Sequence, residues 1–327
     1  MIYIGLMNPI ITRAVLNFNK KHNEYLGLII STSQFSHCGG YYPSKYDFNY
    51  TLKLIKDIDS HIRIGRDHYD SLDNDLHCSD IGIVDYIHID PIYDSNGKKN
   101  DIIGYTSDVI YMMNELVKFD KKIKFEIGTE QRLLKFSIQD FDYFLSNIQQ
   151  VYGEDKLEYI VVQSNEDLSY NNLLTQQAPE ITYDDSARYH QMITIAKEYY
   201  PNVKLKQHNQ DFVPANDIRN KLNLNFGGSN LDAINLGPQI AQMFNEIVYE
   251  ELNPTRRIEV VRRILKNEAF KKWCTYNNIM DTTPEKMFTL FAHYIYKELD
   301  YSIDHNSIFE KFYPEFEKFI LERLPGG

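Results

Sequence analysis

Cysteine is scarce and scattered: Cys38, Cys78 and Cys274 are the three in 327 residues. An odd number at such spacing argues against a disulfide framework and against a CxxC zinc knuckle. Positive charge is also short, with 35 Lys and Arg against 46 Asp and Glu, a net charge of −11, and no Lys/Arg-rich tract. Phosphate-backbone recognition needs clustered cations, so nucleic acid is not expected as a partner. A phosphorylated small molecule needs only a local cationic pocket and stays open. No apolar run approaches the roughly 20 residues of a membrane span. The opening residues, Met1 to Pro9, lack a basic n-region and a small-residue cleavage site. They do not read as a signal peptide, and a cytoplasmic location is expected, with no membrane association. Short-period repeats and low-complexity segments are missing too.

What is present is alternation. Eight short apolar runs each end in a polar cluster: Ile2–Met7, Leu26–Ile30, Ile62–Gly65, Tyr86–Asp90, Ile123–Ile127, Tyr159–Gln163, Val203–His208 and Ala233–Leu236. Helical patterns separate most of them, over Ala14–Phe18, Phe48–Ile58, Ser107–Phe119, Phe141–Val151, Asp185–Tyr199 and Gln239–Glu251. Eight strands with helical crossovers predict a TIM (β/α)8 barrel rather than an open doubly wound sheet. Leu222–Phe226 is a possible ninth strand, or part of the loop before the eighth. Beyond Asn253-Pro254 the alternation stops. Thr255–Tyr276, Pro284–Glu298 and Ser307–Leu324 read as helices, the second with Thr283 as cap and Pro284 at the first helical position. The expected organisation is a barrel over 1–252 that carries the site, and a helical C-terminal extension over 253–327 packed on it.

Barrel sites lie at the C-terminal ends of strands, and there the polar residues gather. Asp67 and His68 end one strand. His88 and Asp90 share a face of the next. Glu126 shares a face with Lys124, and Glu130 lies just beyond. Lys204, Lys206 and His208 share a face of a later strand, with Asp211 after it. Two imidazoles with a carboxylate or two make a divalent-metal site that leaves room for a substrate oxygen. A carboxylate beside such a metal moves protons next to a carbonyl. Lys124 or Lys206, if interior, offers a metal-free route through a Schiff base; the ordinary alternative is an ion pair with Glu126. The glycines Gly227-Gly228-Ser229 and Gly237-Pro238 flank the eighth strand, where backbone N–H groups can bind phosphate.

These motifs, in this order, resemble the D-tagatose-1,6-bisphosphate aldolase subunit family of the GatZ/KbaZ kind, sometimes called the non-catalytic subunit. The likeness runs over almost the whole chain. Gln34 with Gly39-Gly40-Tyr41 resembles the family's Gln followed by Gly-Gly-Tyr. Gly65-Arg66-Asp67-His68 resembles its Gly-Gly-Asp-His, and Ile87-His88-Ile89-Asp90 its Ile-His-Leu-Asp. Ile127-Gly128-Thr129-Glu130 and Val161-Val162-Gln163 match outright. His208 and Asp211 fall on its His-Ser-Thr-Asp, and Gly237-Pro238 on its Val-Gly-Pro. The departures are Arg66 for Gly, Tyr69-Asp70-Ser71 for Leu-Gly-Pro, Lys206 where an acid is usual, and Asn235 where a Lys is usual.

The resemblance implies a sugar-phosphate enzyme with a divalent metal (Zn, Mn, Ni or Mg), acting as an aldolase or a ketose-phosphate epimerase through a metal-stabilised enediolate or a retro-aldol step. On the strand-end clusters, His68 and His208 with Glu130 or Asp90 are the expected metal ligands, and Asp67, Glu130 and Asp90 the expected catalytic groups. The resemblance places Gln34, Arg66, His88, Gln163, Asp211, Gly228, Ser229 and Gly237 around the substrate. The competing expectations are a non-catalytic subunit that stabilises a partner class II aldolase, and a metal-free Schiff-base aldolase using Lys206 or Lys124. A homo-oligomer or a complex with a partner aldolase subunit is compatible with either.

Overall fold

Strand side chains point alternately inward and outward, and that alternation builds the barrel in the computed structural model of the chain. The structure describes residues 1–23, 26–31, 34–35, 42, 48–70, 82–92, 98–129, 136–163, 169–180, 183–222, 231–299 and 303–325. Among them, strands β1 (Ile2–Gly5), β2 (Leu26–Ser31), β3 (Ile64–Tyr69), β4 (Tyr86–Ile89), β5 (Phe125–Gly128), β6 (Leu157–Val161), β7 (Lys204–Gln207) and β8 (Ala233–Leu236) close into a parallel barrel, β1 pairing with both β2 and β8. The fold is a TIM barrel with a C-terminal helical extension.

Outward residues such as Ile4, Leu28, Ile87, Ile127 and Leu205 join the apolar layer under the helices. The layer comprises α1 (Pro9–His22), α2 (Phe48–Ile58), α3 (Ile102–Phe119), α4 (Ile138–Val151), α5 (Tyr170–Thr175), α6 (Tyr183–Tyr199), α7 (Ala215–Leu222) and α8 (Pro238–Glu251). Asn8 starts α1 by accepting from the Ile11 N–H at 2.9 Å, with Pro9 at the first helical position, where its missing N–H costs nothing. Ser137 and Asp140 form a reciprocal capping box on α4.

Inside, the lower part of the barrel is aromatic. Tyr3, Tyr86 and Tyr159 meet edge to face, with centroids 5.3 to 6.0 Å apart. Glycines make room for them: a Cβ on Gly65 would sit 2.2 Å from the Tyr86 ring, and one on Gly27 would sit 2.4 Å from Tyr3.

Most expected elements fall where the periodicity puts them. Helix α3 begins at Ile102, five residues before the expected Ser107, because Asp101 caps it by accepting from the Gly104 N–H at 2.8 Å. Between β3 and β4 no helix lies among the described residues. The possible ninth strand is not one at its start: Leu222 closes α7, and 223–226 lie outside the described residues.

The extension holds α9 (Pro254–Asn267), α10 (Tyr276–Met280), α11 (Pro284–Phe291), α12 (Tyr296–Leu299) and α13 (His305–Leu321). The expected helix over Thr255–Tyr276 is broken at Glu268, whose φ of +58° is left-handed. Helix α11 packs on α8, and α13 packs on α8 and α1. Phe312 meets Phe244 of α8, and Phe316 meets Phe18 of α1, both edge to face.

Candidate functional site

A polar cluster sits directly above the tyrosine layer. It owes its position to strand parity. Gly65 and Asp67, Tyr86 and His88, and Lys206 and His208 are inward pairs two residues apart. Glu126 of β5 pairs in register with His88 of β4 and Tyr159 of β6. On β3 and β4 the lower residue, Gly65 or Tyr86, belongs to the tyrosine layer and the upper one is ionisable, whereas on β7 both Lys206 and His208 are ionisable.

The cluster's core is Asp67, His88, Glu126 and His208, which each offer a ligand atom within 4.8 Å of the others. The His208 Nε2 lies 2.5 Å from Glu126 Oε1. The His88 Nδ1 lies 3.3 Å from Asp67 Oδ1 and 4.0 Å from Glu126 Oε1. His88 is buried, and its Nε2 has no hydrogen-bond partner among the described residues. The other oxygen of Glu126 accepts from Lys206 Nζ at 2.6 Å.

Burial alone pushes both carboxyls up. It is outweighed at Asp67, where His68, the hydrogen bond from His88 and His208 hold the group well below the usual carboxylate range. At Glu126 burial is outweighed by Lys206 and then His208, which bring it down to about 2. Burial lowers the Lys206 ammonium, against the pull of Glu126.

The end of β3 is irregular, and the irregularity matters. Arg66 and Tyr69 pair with Ile87 and Ile89, so β3 holds one residue more than β4 across the same span. The bulge falls on Asp67-His68, and His68 has a φ of +48°. Such a bulge re-aims a side chain. Here it lets two consecutive residues face the cavity. His68 Nδ1 lies 2.9 Å from Asp90 Oδ2, and its Nε2 lies 3.8 Å from Asp67 Oδ2. Asp90 is buried behind it and accepts from the Tyr105 hydroxyl at 3.1 Å.

The remaining expected site residues are spread out. Arg66 follows strand parity outward: it donates to the Phe35 carbonyl at 3.0 Å and lies over the Phe48 ring of α2. That differs from the expected place around the substrate. Gln34 accepts from the Ser31 N–H at 2.8 Å and tightens the turn after β2. Gln163 is buried just past β6.

Asp211 accepts from the N–H groups of Gly237 at 2.9 Å and Gln239 at 2.8 Å. The start of α8, expected to offer Gly237 to a phosphate, thus already holds a carboxylate of the chain. Burial raises Asp211 to about 6 despite those bonds. Lys124 reaches the Asp155 carbonyl, away from the cavity. Glu130, Gly228 and Ser229 lie outside the described residues.

Glu126 and His88 stand among the strand-end residues from which a metal site is expected, but the expected ligands are His68, His208 and Glu130. What unites Glu126 and His88 is register: they are paired residues on adjacent parallel strands, and both point inward.

The fold and site define a class: a TIM barrel with a buried group of two imidazoles and two carboxylates at the C-terminal ends of its strands. Neither a family model nor a curated protein sequence matches the chain. Among solved structures, the chain is similar to a probable tagatose 6-phosphate kinase from Sinorhizobium meliloti, with a TM-score of 0.66 at 12% identity over 95% of this chain and 86% of that one. It is also similar to a fructose-bisphosphate aldolase from Campylobacter jejuni, with a TM-score of 0.56 at 13% identity over 98% and 89%. At these identities the likeness is one of fold.

Proposed function

We propose that the protein is a divalent-metal-dependent enzyme that cleaves or re-forms a carbon–carbon bond of a ketose phosphate, an aldolase-type reaction. The observation that carries this reading is the buried Asp67–His88–Glu126–His208 group in a barrel of the aldolase fold. The donor set fits a metal. Two imidazoles favour Zn or Ni over Mg, and an ion would give His88 a partner that its Nε2 does not find among the described residues. His88, Glu126 and His208 would hold the ion, three protein ligands being the usual number where substrate must also bind. When bound, it would supply a Lewis acid for the substrate carbonyl.

The rest falls to the chain. Bond cleavage releases a hydroxyl proton, and Asp67 is the carboxylate that faces both the cluster and His68. In this reading Asp67 accepts that proton. His68, 3.8 Å away and partly exposed, exchanges it with solvent and returns one proton to the carbon that keeps the electron pair of the broken bond; Asp90 fixes the imidazole's orientation through Nδ1. If the two fragments rejoin with opposite geometry before leaving, the same site gives an epimer.

The test is turnover of ketose 6-phosphates and 1,6-bisphosphates, with triose and epimer products both assayed. Activity should vanish on chelation and return with Zn or Ni. Asp67→Asn should lower kcat by about 10²–10⁴. Cleavage that survives chelation, or an Asp67→Asn enzyme that turns over normally, would contradict the assignment.

A further inference from the structure

Lys206 is wholly buried at the floor of the cluster and the metal reading gives it no task. Its ammonium touches Glu126 Oε2 at 2.6 Å and donates to the Tyr86 hydroxyl at 2.8 Å. The rings of Tyr3, Tyr86 and Tyr159 surround it, with centroids 4.6, 4.8 and 5.3 Å away. Tyrosine faces stabilise a cation that water cannot reach. The Tyr3 and Tyr159 hydroxyls bond to each other at 3.1 Å, which closes the cage below.

We propose that Lys206 is the site's built-in second cation: a fixed positive charge that occupies one oxygen of Glu126 and so limits the cluster to a single divalent ion.

The charges support this. Asp67 and Glu126 together bring two negative charges into a buried space whose other members are imidazoles. Buried carboxylates without a cation carry a heavy desolvation cost. A pair of carboxylates with two or three imidazoles nearby is also a set that two metal ions can share. Lys206 Nζ already holds Glu126 Oε2 at 2.6 Å, the oxygen that a second ion would need to share this carboxylate. It leaves Glu126 one oxygen, Oε1, directed at His208 and His88. Lys206 is therefore a positioning residue. Its role in the proposal is to set the number of ligand oxygens and the net charge that the ion meets.

The proposal rests on the metal reading above, and one experiment separates the two. Apo protein is titrated with Zn²⁺ or Co²⁺ alone, bound metal is counted after dialysis, and affinity is measured against a chromogenic chelator. The wild-type chain should saturate at one ion. Lys206→Met, which keeps the length and removes the charge, should bind at least about tenfold more tightly, because a like charge next to the ion is gone. Lys206→Arg should stay within about threefold of wild type, because the charge is kept. Thermal melts establish that the variants are folded.

Two ions per wild-type chain, or a folded Lys206→Met with unchanged or weaker affinity, overturns the proposal and leaves the metal reading intact. A wild-type chain that binds no ion beside a Lys206→Met chain that binds one removes the metal reading and upholds Lys206 as the occupying cation. No ion in either chain overturns both. If Lys206→Met does not fold, the wild-type stoichiometry decides.

Discussion

Asp211, expected around the substrate, holds the backbone at the start of α8 instead. It follows His208 by three positions and lies within the same motif, yet its carboxylate faces the start of α8 rather than the cluster. Sequence gives the residue type and its neighbourhood, and not the direction of the side chain past the end of a strand. Its raised pKa has a sign that can be checked. A carboxyl held near 6 in the fold, against about 3.9 when unfolded, favours the protonated form. Its stabilisation is full below the unfolded value and is lost as pH rises through 6. Asp211→Asn keeps an acceptor for both N–H groups at every pH. Its melting temperature relative to wild type should therefore be higher at pH 8 than at pH 5. An offset equal at the two pH values would show that Asp211 does not titrate in this way.

Strands were the most legible elements, because a period of two in short apolar runs has few other readings. The eight runs found in the sequence match β1 to β8 closely. What the pattern did not carry was register and local irregularity. The level at which His88 meets Glu126 depends on pairing between strands 38 residues apart in number. The bulge that turns both Asp67 and His68 to the cavity depends on β4 as much as on β3. Arg66 was misplaced for a simpler reason: it stands between two inward residues and so must point out.

The same parity yields a prediction for the barrel floor. Gly65 lies against a Tyr86 ring that is fully buried, wedged between Tyr3 and Tyr159 and bonded to Lys206, so the ring cannot retreat. Gly65→Ala should cost about 1–3 kcal/mol, read as a lower urea midpoint. A variant as stable as wild type would mean that the tyrosine layer can rearrange.

At the scale of the whole molecule, the question is whether residues 253–327 are a unit of their own. Three helices were expected there, and the described residues form five, because Glu268 adopts a left-handed conformation and a tight turn divides α11 from α12. We propose that the extension melts together with the barrel. Helix α13 lies against both α1 and α8, so it crosses the seam where the chain's first and last barrel strands meet. Glu317 adds a polar clamp to Lys21 and His22 of α1, each at 2.7 Å.

Phe312 is fully buried between Phe244 and Phe316. Phe312→Ala should destabilise by about 3–5 kcal/mol, and calorimetry should still show one transition. Two transitions, with the barrel surviving the first, would make the extension a separate domain.

The central claim is that Asp67, His88, Glu126 and His208 form one divalent-ion site on top of a tyrosine-caged lysine. The most direct measurement is a crystal soaked in Zn²⁺ and recorded at the metal's absorption edge. The account predicts one anomalous peak, with the nitrogens of His88 and His208 at about 2.0–2.1 Å from it and Glu126 bound through Oε1. A crystal that shows no peak there, or one bound by His68 and Asp90 in place of His88 and Glu126, would contradict it.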